Sequence, residues 1–326
     1  MTVTATSLVT GGTGFIGRQL VEALVQRGEF VRVLGRRPVV RWRGNEAIEH
    51  VRADIAEPGV IERAVEGVER VFHLAAATSG DSAAYERVTV EGSERLLQAV
   101  RSRGRVRIVF VSSLSVYDGA QMQDGLVIDE NFPLERCPQK RSPYARSKTR
   151  ADIAAQIFLN DGGVRLTIVR PGLVYGARNP LNGLAIPFND RIWVTLGIRC
   201  KELPLIYIRD LVSALLDIEG SRDGVGQIYN LVGPDCPKGY EYIKCYRELS
   251  GDRRPVVDVP VRHLLPFAAA ADAILNMLGA TSAIYMGTKR ISRDVRYSGD
   301  KVRRHLGVHP RTGYRDGLRE TCELFT

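Results

Sequence analysis

This 326-residue sequence predicts an α/β fold: a doubly wound parallel sheet covered by helices on both faces, with a smaller C-terminal lobe at its edge. Three observations predict it. Short β-branched runs alternate with helical apolar spacing as far as Arg170. The first run leads directly into glycines at G-x-x-G-x-x-G spacing, and beyond Arg170 the alternation loosens with no repeat or low-complexity linker.

The elements follow in chain order. TSLVT (Thr6–Thr10) reads as a buried strand, and Phe15 to Arg27 carries apolar residues at helical spacing, closed by Gly28 where a C-terminal cap belongs. FVRVL, AIEHVRADI and ERVFHLAA read as the second, third and fourth strands, with a short helix from Pro58 to Glu66 between the last two. One long helix is expected from Ser82 to Arg103, followed by the strongly β-branched strand VRIVFVSS. Asp118 to Arg141 is rich in turn residues and has no clear period; Pro143 to Leu159 is helical and leads into VRLTIVR. LIYIRDLVSALLDIE then reads as strand and helix, and QIYNLVG as a strand. Residues 1–175 are expected to form the nucleotide-binding domain, and 176–326 mainly a substrate-covering lobe that returns some segments to the sheet. The cleft between them is the expected site.

Composition excludes more than it assigns. With 44% hydrophobic and 25% charged residues the chain is that of an ordinary globular protein. Its net charge of +9 is scattered and accompanies no nucleic-acid reader motif, so no nucleic-acid partner is expected. Cys137, Cys200, Cys236, Cys245 and Cys322 are odd in number and form no C-x-x-C pair, which suggests neither a disulfide framework nor a metal site and fits a reducing compartment. The first residues lack a basic region followed by an apolar one, so no signal peptide is read and a cytoplasmic protein is expected. The apolar stretch from His263 to Ala280 is interrupted by Pro266, Asp272 and Asn276, which favours a packed or peripheral helix over a spanning one and leaves membrane contact open.

TGGTGFIG places Gly11, Gly14 and Gly17 between a strand and a helix. Glycine there allows a tight turn, close approach of a pyrophosphate and tight helix packing, while the helix start offers free N–H groups. At the end of the second strand a carboxylate would hold a ribose 2′-hydroxyl; VRVLGRRP instead brings Arg36 and Arg37, which suits a 2′-phosphate. NADP is therefore expected, with Arg36 as first contact and NAD as the alternative. Asp54 can accept from an adenine amino group, and Ala75, Ala76 and Ala77 leave room for ribose and nicotinamide. The full cofactor set expected is Gly11, Thr13, Gly14, Phe15, Ile16, Gly17, Arg36, Asp54, Ile55, Leu74, Ala75, Ala76, Lys148 and Pro171.

In SPYARSK, Ser142 can cap a helix and Pro143 suits its first turn, so Tyr144 and Lys148 fall at i and i+4 on one face. A nearby ammonium and a cationic nicotinamide would favour the phenolate of Tyr144 and fit it for proton exchange with an alcohol–carbonyl pair. The strand end VSSLSVY offers Ser112, Ser113 and Ser115 as the hydroxyl donor on the other side of the substrate oxygen, with Ser113 first choice.

TGGTGFIG, Asp54-Ile55, HLAA, VSSLSVY, YARSK, VRPGLVYG and IYIRDLVSAL occur in the order seen in the extended short-chain dehydrogenase/reductases, and KVRRHLGVHPRTGYRDGLRETCELF resembles that family's closing helices. The chain resembles this family over almost its whole length, nearest to the 3β-hydroxysteroid dehydrogenase branch of the epimerase/dehydratase group. The resemblance implies a Rossmann fold and places the catalytic serine, tyrosine and lysine on Ser113, Tyr144 and Lys148. It implies a homodimer through two helices, here Ser82 to Arg103 and Pro143 to Leu159. It puts substrate and nicotinamide contacts at Pro171, Gly172 and Tyr175, beside which Thr78, Ser115 and Asn182 are further substrate candidates. One departure stands out: Thr89 in TVEG replaces the usual asparagine, where a water-mediated proton path would be altered.

The stretch from Ala177 to Pro204 is mostly apolar, with Leu181, Leu184, Ile186, Phe188, Ile192, Trp193 and Leu196, which suits a lipid-like, steroid-like or aromatic ketone. The expected function is an NADP-dependent oxidoreductase on a small hydrophobic substrate. The alternatives are a nucleotide-sugar epimerase or ketoreductase with tightly held NAD, for which diphosphate contacts from Arg191, Arg199 or Arg290 would speak, and a dinucleotide-binding scaffold or sensor with a spent site.

Overall fold

The computed structural model describes residues 7–38, 40–277 and 293–324. Expectations that fall on Thr6, residues 278–280 or Arg290 lie outside the described residues.

The strands are β1 (Ser7–Thr10), β2 (Val31–Leu34), β3 (Ile48–Val51), β4 (Arg70–His73), β5 (Arg107–Val111), β6 (Val127–Ile128), β7 (Arg165–Pro171), β8 (Leu173–Tyr175), β9 (Ile186–Phe188), β10 (Ile192–Leu196), β11 (Leu205–Tyr207), β12 (Ile228–Leu231), β13 (Val256–Val259) and β14 (Arg296–Tyr297). The helices are α1 (Phe15–Gln26), α2 (Val60–Ala64), α3 (Ser82–Tyr85), α4 (Gly92–Arg103), α5 (Pro143–Asn160), α6 (Ile208–Gly220), α7 (Gly239–Ser250), α8 (Val261–Met277), α9 (Asp300–Leu306) and α10 (Tyr314–Glu323).

Seven parallel strands form the central sheet in the order β12-β7-β5-β4-β1-β2-β3. Both faces are covered, so β1 and β5 are buried along their whole length and read as continuous rather than alternating runs. Successive residues serve opposite faces: Val9 packs with Leu20, Val21 and Leu24 of α1, whereas Leu8 packs with Leu96, Leu97 and Val100 of α4 and with Ala151 and Ala155 of α5. The strand order reverses at β1, which opens a crevice at the carboxyl ends of β1 and β4.

Beyond β7 the chain both leaves and rejoins this sheet. β12 forms its edge beside β7, whereas β9, β10 and β13 make a separate three-stranded sheet in the small lobe. β6 pairs with β14 and so ties the irregular stretch after Tyr117 to the chain's last quarter.

Two differences from the sequence reading bear on the groove. The third strand ends at Val51 instead of Ile55, because the Asp54 carboxylate accepts from the Ala56 N–H at 3.0 Å and turns the chain. The long helix from Ser82 to Arg103 is not continuous: a π-helical segment, Glu86–Glu91, separates α3 from α4. Within it the Thr89 hydroxyl accepts from the Ala77 N–H at 2.9 Å and the Thr89 carbonyl accepts from the Ser93 hydroxyl. The first bond ties the wide turn to the chain just beyond β4, and the second ties it to α4.

Beneath the crevice lies a buried ion pair. The Arg170 guanidinium donates from Nε and Nη2 to both oxygens of Asp152, at 3.0 and 2.7 Å, and from Nη1 to the Tyr117 hydroxyl at 3.0 Å. The Ser112 hydroxyl and the Gln156 amide also donate to Asp152, and Tyr117 donates to Asn230 at 2.6 Å. Arg170 and Asp152 are almost wholly excluded from solvent, so each charge depends on the other. Asp152→Asn should lower stability by about 3–5 kcal/mol, because it leaves the guanidinium buried without its counter-ion. Urea unfolding checks this; an unchanged midpoint would show that the pair is dispensable.

Candidate functional site

The glycines after β1 are shaped by near-contacts of backbone with backbone. Gly11 has φ +70°, and a Cβ there would lie 2.8 Å from the Ala75 nitrogen; a Cβ on Gly17 would lie 2.3 Å from the Gly11 carbonyl oxygen. Gly14 is the N-cap of α1, and among the described residues its own position supplies no side-chain cap to the helix N–H groups. A helix N-terminus left open in this way can accept a pyrophosphate.

Above the loop runs a groove of about 860 Å³. All of the residues expected for the cofactor line it: Gly11 to Gly17 apart from Gly12, then Arg36, Asp54, Ile55, Leu74, Ala75, Ala76, Lys148 and Pro171. Ser113 and Tyr144 line it too, as do Thr78, Ser115, Gly172 and Asn182. The backbone hugs the groove again at Gly172, where a Cβ would lie 2.0 Å from the Pro204 carbonyl oxygen. The groove lined by the glycine loop and the open helix start together fit a nicotinamide dinucleotide.

Tyr175 is a correction. β8 pairs with β11 and sets Tyr175 beside Tyr207, with ring centroids 5.4 Å apart, and Tyr242 meets it edge-on at 5.6 Å. It is 1% exposed and its hydroxyl donates to the Gly313 carbonyl, so it belongs to the core and not to the groove. Thr89 likewise stays out of the lining, its hydroxyl engaged by Ala77, while Val88 of the same π-turn faces the groove. Sequence reasoning missed Val88, Pro204 and Tyr297 as lining residues. Only the last pair of strands brings Tyr297 in, and no local pattern could announce that. Asn179 also lines the groove and donates to the Asn182 side-chain oxygen at 3.2 Å. Arg191 and Arg199 lie outside the lining, and Arg290 lies outside the described residues.

One end of the groove is basic. Arg36 lies 3.7 Å from Asp54, and Arg87 lies 4.0 Å from the same carboxylate. Arg18, in the first turn of α1, is pushed down from the ordinary arginine range by burial and by Arg178, Arg41 and Arg37. Cations gathered this densely favour a phosphorylated ligand.

At the other end the chemistry-bearing side chains meet. Ser142 caps α5, its hydroxyl accepting from the Ala145 N–H, and so starts the helix that carries Tyr144 and Lys148. Tyr144 is hydrogen-bonded to the Ser113 side chain; burial raises its pKa, the Ser113 bond opposes that, and Tyr85 adds to it. This differs from the lowered value expected from a neighbouring ammonium. The Lys148 Nζ instead donates to the Val111 carbonyl at 2.8 Å, and burial brings its own pKa down to about 8 against the opposing pull of Asp152. The Ser113 hydroxyl also accepts from the Ser115 N–H at 3.1 Å, and the buried Ser115 hydroxyl has no partner among the described residues.

A polar chain underlies this arrangement. His73 meets Thr10 through Nδ1 at 2.7 Å and Ser93 through Nε2 at 2.9 Å, and Ser93 donates onward to the Thr89 carbonyl. Since Ser93 spends its proton on that carbonyl, Nε2 carries the imidazole proton and Nδ1 accepts from Thr10. Burial and the nearby Lys148 hold His73 down to about 3, so it stays neutral.

The chain matches the NAD dependent epimerase/dehydratase family over residues 7–231. It is 28% identical to the 4-hydroxy-2-methyl-3-oxo-4-farnesyl-3,4-dihydroquinoline-1-oxide ketoreductase of Stigmatella aurantiaca, covering 96% of this chain and 94% of that protein. To sterol demethylase protein B of Methylococcus capsulatus it is 29% identical, covering 94% of each. The crystal structure of Thermus thermophilus UDP-glucose 4-epimerase in complex with NAD superposes with a TM-score of 0.75 at 23% identity, over 98% of both chains. At that identity the likeness is one of fold.

The buried ammonium has a pH signature. Lys148 titrates near 8 in the folded chain and near its ordinary 10.5 when unfolded, so between these values the unfolded chain holds a proton that the folded chain has released. Stability from this site therefore rises with pH across that window and is flat on either side. Against Lys148→Met, the unaltered protein should gain about 3 kcal/mol across it, measured by urea unfolding at each pH. A constant gap would refute the buried ammonium.

Proposed function

Because the chain belongs to the NAD dependent epimerase/dehydratase family, we propose that it is an NADP-dependent oxidoreductase that interconverts an alcohol and a carbonyl in a hydrophobic substrate. The observation that carries this reading is the convergence of Ser113, Tyr144 and Lys148 on the groove that the glycine loop opens.

Several features support the finer points. Arg36 and Arg37 line the groove just beyond β2, where a carboxylate would be needed for the ribose 2′-hydroxyl of NAD. Val88, Leu173, Val174 and Pro204 give the substrate end an apolar wall. Two relatives are named for a farnesylated quinoline and for sterol chemistry, which accords with a lipophilic carbonyl compound.

When bound, the nicotinamide dinucleotide supplies or accepts the hydride. The protein's own task is the proton. Burial keeps the Tyr144 phenol neutral, so it can donate to a carbonyl oxygen in the reducing direction while the Ser113 hydroxyl holds that oxygen from the other side. The unpartnered Ser115 hydroxyl offers a further contact to the substrate. Lys148, four residues on from Tyr144 in α5, adds a positive charge to the groove lining, which favours the phenolate left after transfer. We assign the dimer contact to α4 and α5, where Ile153 and Ile157 of α5 are exposed.

Tyr144→Phe should lower kcat by roughly 10²–10⁴-fold with cofactor affinity within a few-fold, because the phenol serves the transition state. Steady-state reduction of hydrophobic ketones alongside nicotinamide fluorescence titration decides it, and undiminished turnover removes Tyr144 from this role. Arg36→Ala should weaken NADPH binding and hardly affect NADH; an equal loss for both would overturn the 2′-phosphate assignment.

A further inference from the structure

The small lobe presents an apolar sheet face to solvent. On β10, Trp193 and Thr195 point inward and are buried, which turns Ile192, Val194 and Leu196 outward. Register then sets Phe188 and Ile186 of β9 beside Ile192 and Val194, and Val257 of β13 beside Val194. Ile186, Phe188 and Val257 are 54%, 57% and 46% exposed. An antiparallel pair at a protein surface normally carries polar residues on its outer face; here every one of these positions is aliphatic or aromatic.

The element that follows repeats the inversion. Helix α8 leaves β13 through Pro260, and its first turn packs on the end of β10, where a Cβ on Gly197 would lie 2.6 Å from the Val261 side chain. The exposed positions of α8 after His263 are Pro266, Phe267, Ala269, Ala270, Ala273, Ile274 and Met277, all apolar, and Phe267, Ala270, Ile274 and Met277 among them recur at helical spacing. Phe267 and Met277 are 74% and 87% exposed. Among the described residues no helix is long and apolar enough to cross a membrane.

Charge selects the occupant. Exposed Arg191 and Arg253 stand at the end of the sheet where β10 and β13 begin, and exposed Arg199 stands just beyond the end of β10. Among the described residues none of the three forms an ion pair, whereas the neighbouring Arg254 is neutralised by Asp252 at 2.5 Å. We propose that this face of the lobe docks on an anionic lipid surface, the apolar residues entering the headgroup boundary and the arginines meeting the phosphates. Gly183, Leu184 and Ala185 alone separate groove-lining Asn182 from Ile186, so the docked face adjoins the groove.

The test is sedimentation of the full chain with vesicles of phosphatidylcholine mixed with phosphatidylglycerol, and with vesicles of phosphatidylcholine alone. Binding to the mixed vesicles is expected to be the stronger. Phe188→Ser with Val257→Ser should abolish it, and Arg191→Glu and Arg253→Glu should each weaken it at least about fivefold. Circular dichroism and NADPH affinity, unchanged in these variants, show that the fold is kept. Failure to sediment with the mixed vesicles overturns the proposal, as does a concentration-dependent dimer that is lost in the Phe188→Ser, Val257→Ser protein without any vesicle binding. The readout is partition and not turnover, so it stands apart from the enzymatic reading.

Discussion

The pair of Arg170 and Asp152 is the constraint on which the groove depends. Two opposite charges with no access to water tolerate little displacement, since each loses its compensation if the other moves. Arg170 is in β7 immediately before groove-lining Pro171, Asp152 lies one turn after Lys148 in α5, and Ser112, which donates to Asp152, precedes Ser113. Three separate stretches of chain are thereby held in register where the reacting groups must meet. Tyr117 extends the same network to Asn230 in β12, so the sheet edge is fixed to it as well.

Electrostatics divides the groove into two environments. Towards β2, Arg36 and Arg87 face solvent beside Asp54, a setting suited to phosphates. Around Tyr144 and Lys148 the charge is scarce and buried, and the ionisable groups are driven toward their neutral forms. A proton donor is useful when it stays protonated until the substrate arrives, and burial supplies that condition. His73 contributes in the same sense: held neutral by its surroundings, it bridges Thr10 to Ser93 without adding a competing charge beside Lys148.

Much of this is legible in the sequence. Gly11, Gly14 and Gly17, the serine-rich end of β5 and the Tyr144–Lys148 spacing are local patterns, and a parallel sheet brings the carboxyl ends of its strands together whatever the details. Features that depend on distant chain were not legible. Tyr297 reaches the groove only through β14 pairing with β6, and Tyr175 leaves it only because β8 pairs with β11 and builds an aromatic cluster behind. Nor could spacing show where the Lys148 ammonium points, since its acceptor, the Val111 carbonyl, carries no sequence signature.

The π-helical segment at Glu86–Glu91 acts as a phase shifter. An extra residue accommodated in a helix rotates everything before it by about 100° relative to everything after it. The halves of this stretch are therefore two wheels on one axle: α4 keeps Leu96, Leu97 and Val100 toward the sheet, while the turn before it directs Val88 toward the groove and Tyr85 toward Tyr144. One broken rod thereby serves two ends at once, because Tyr85 and Val88 share a buried cluster with Leu96, Leu97 and Val100, and Val88 still reaches the groove.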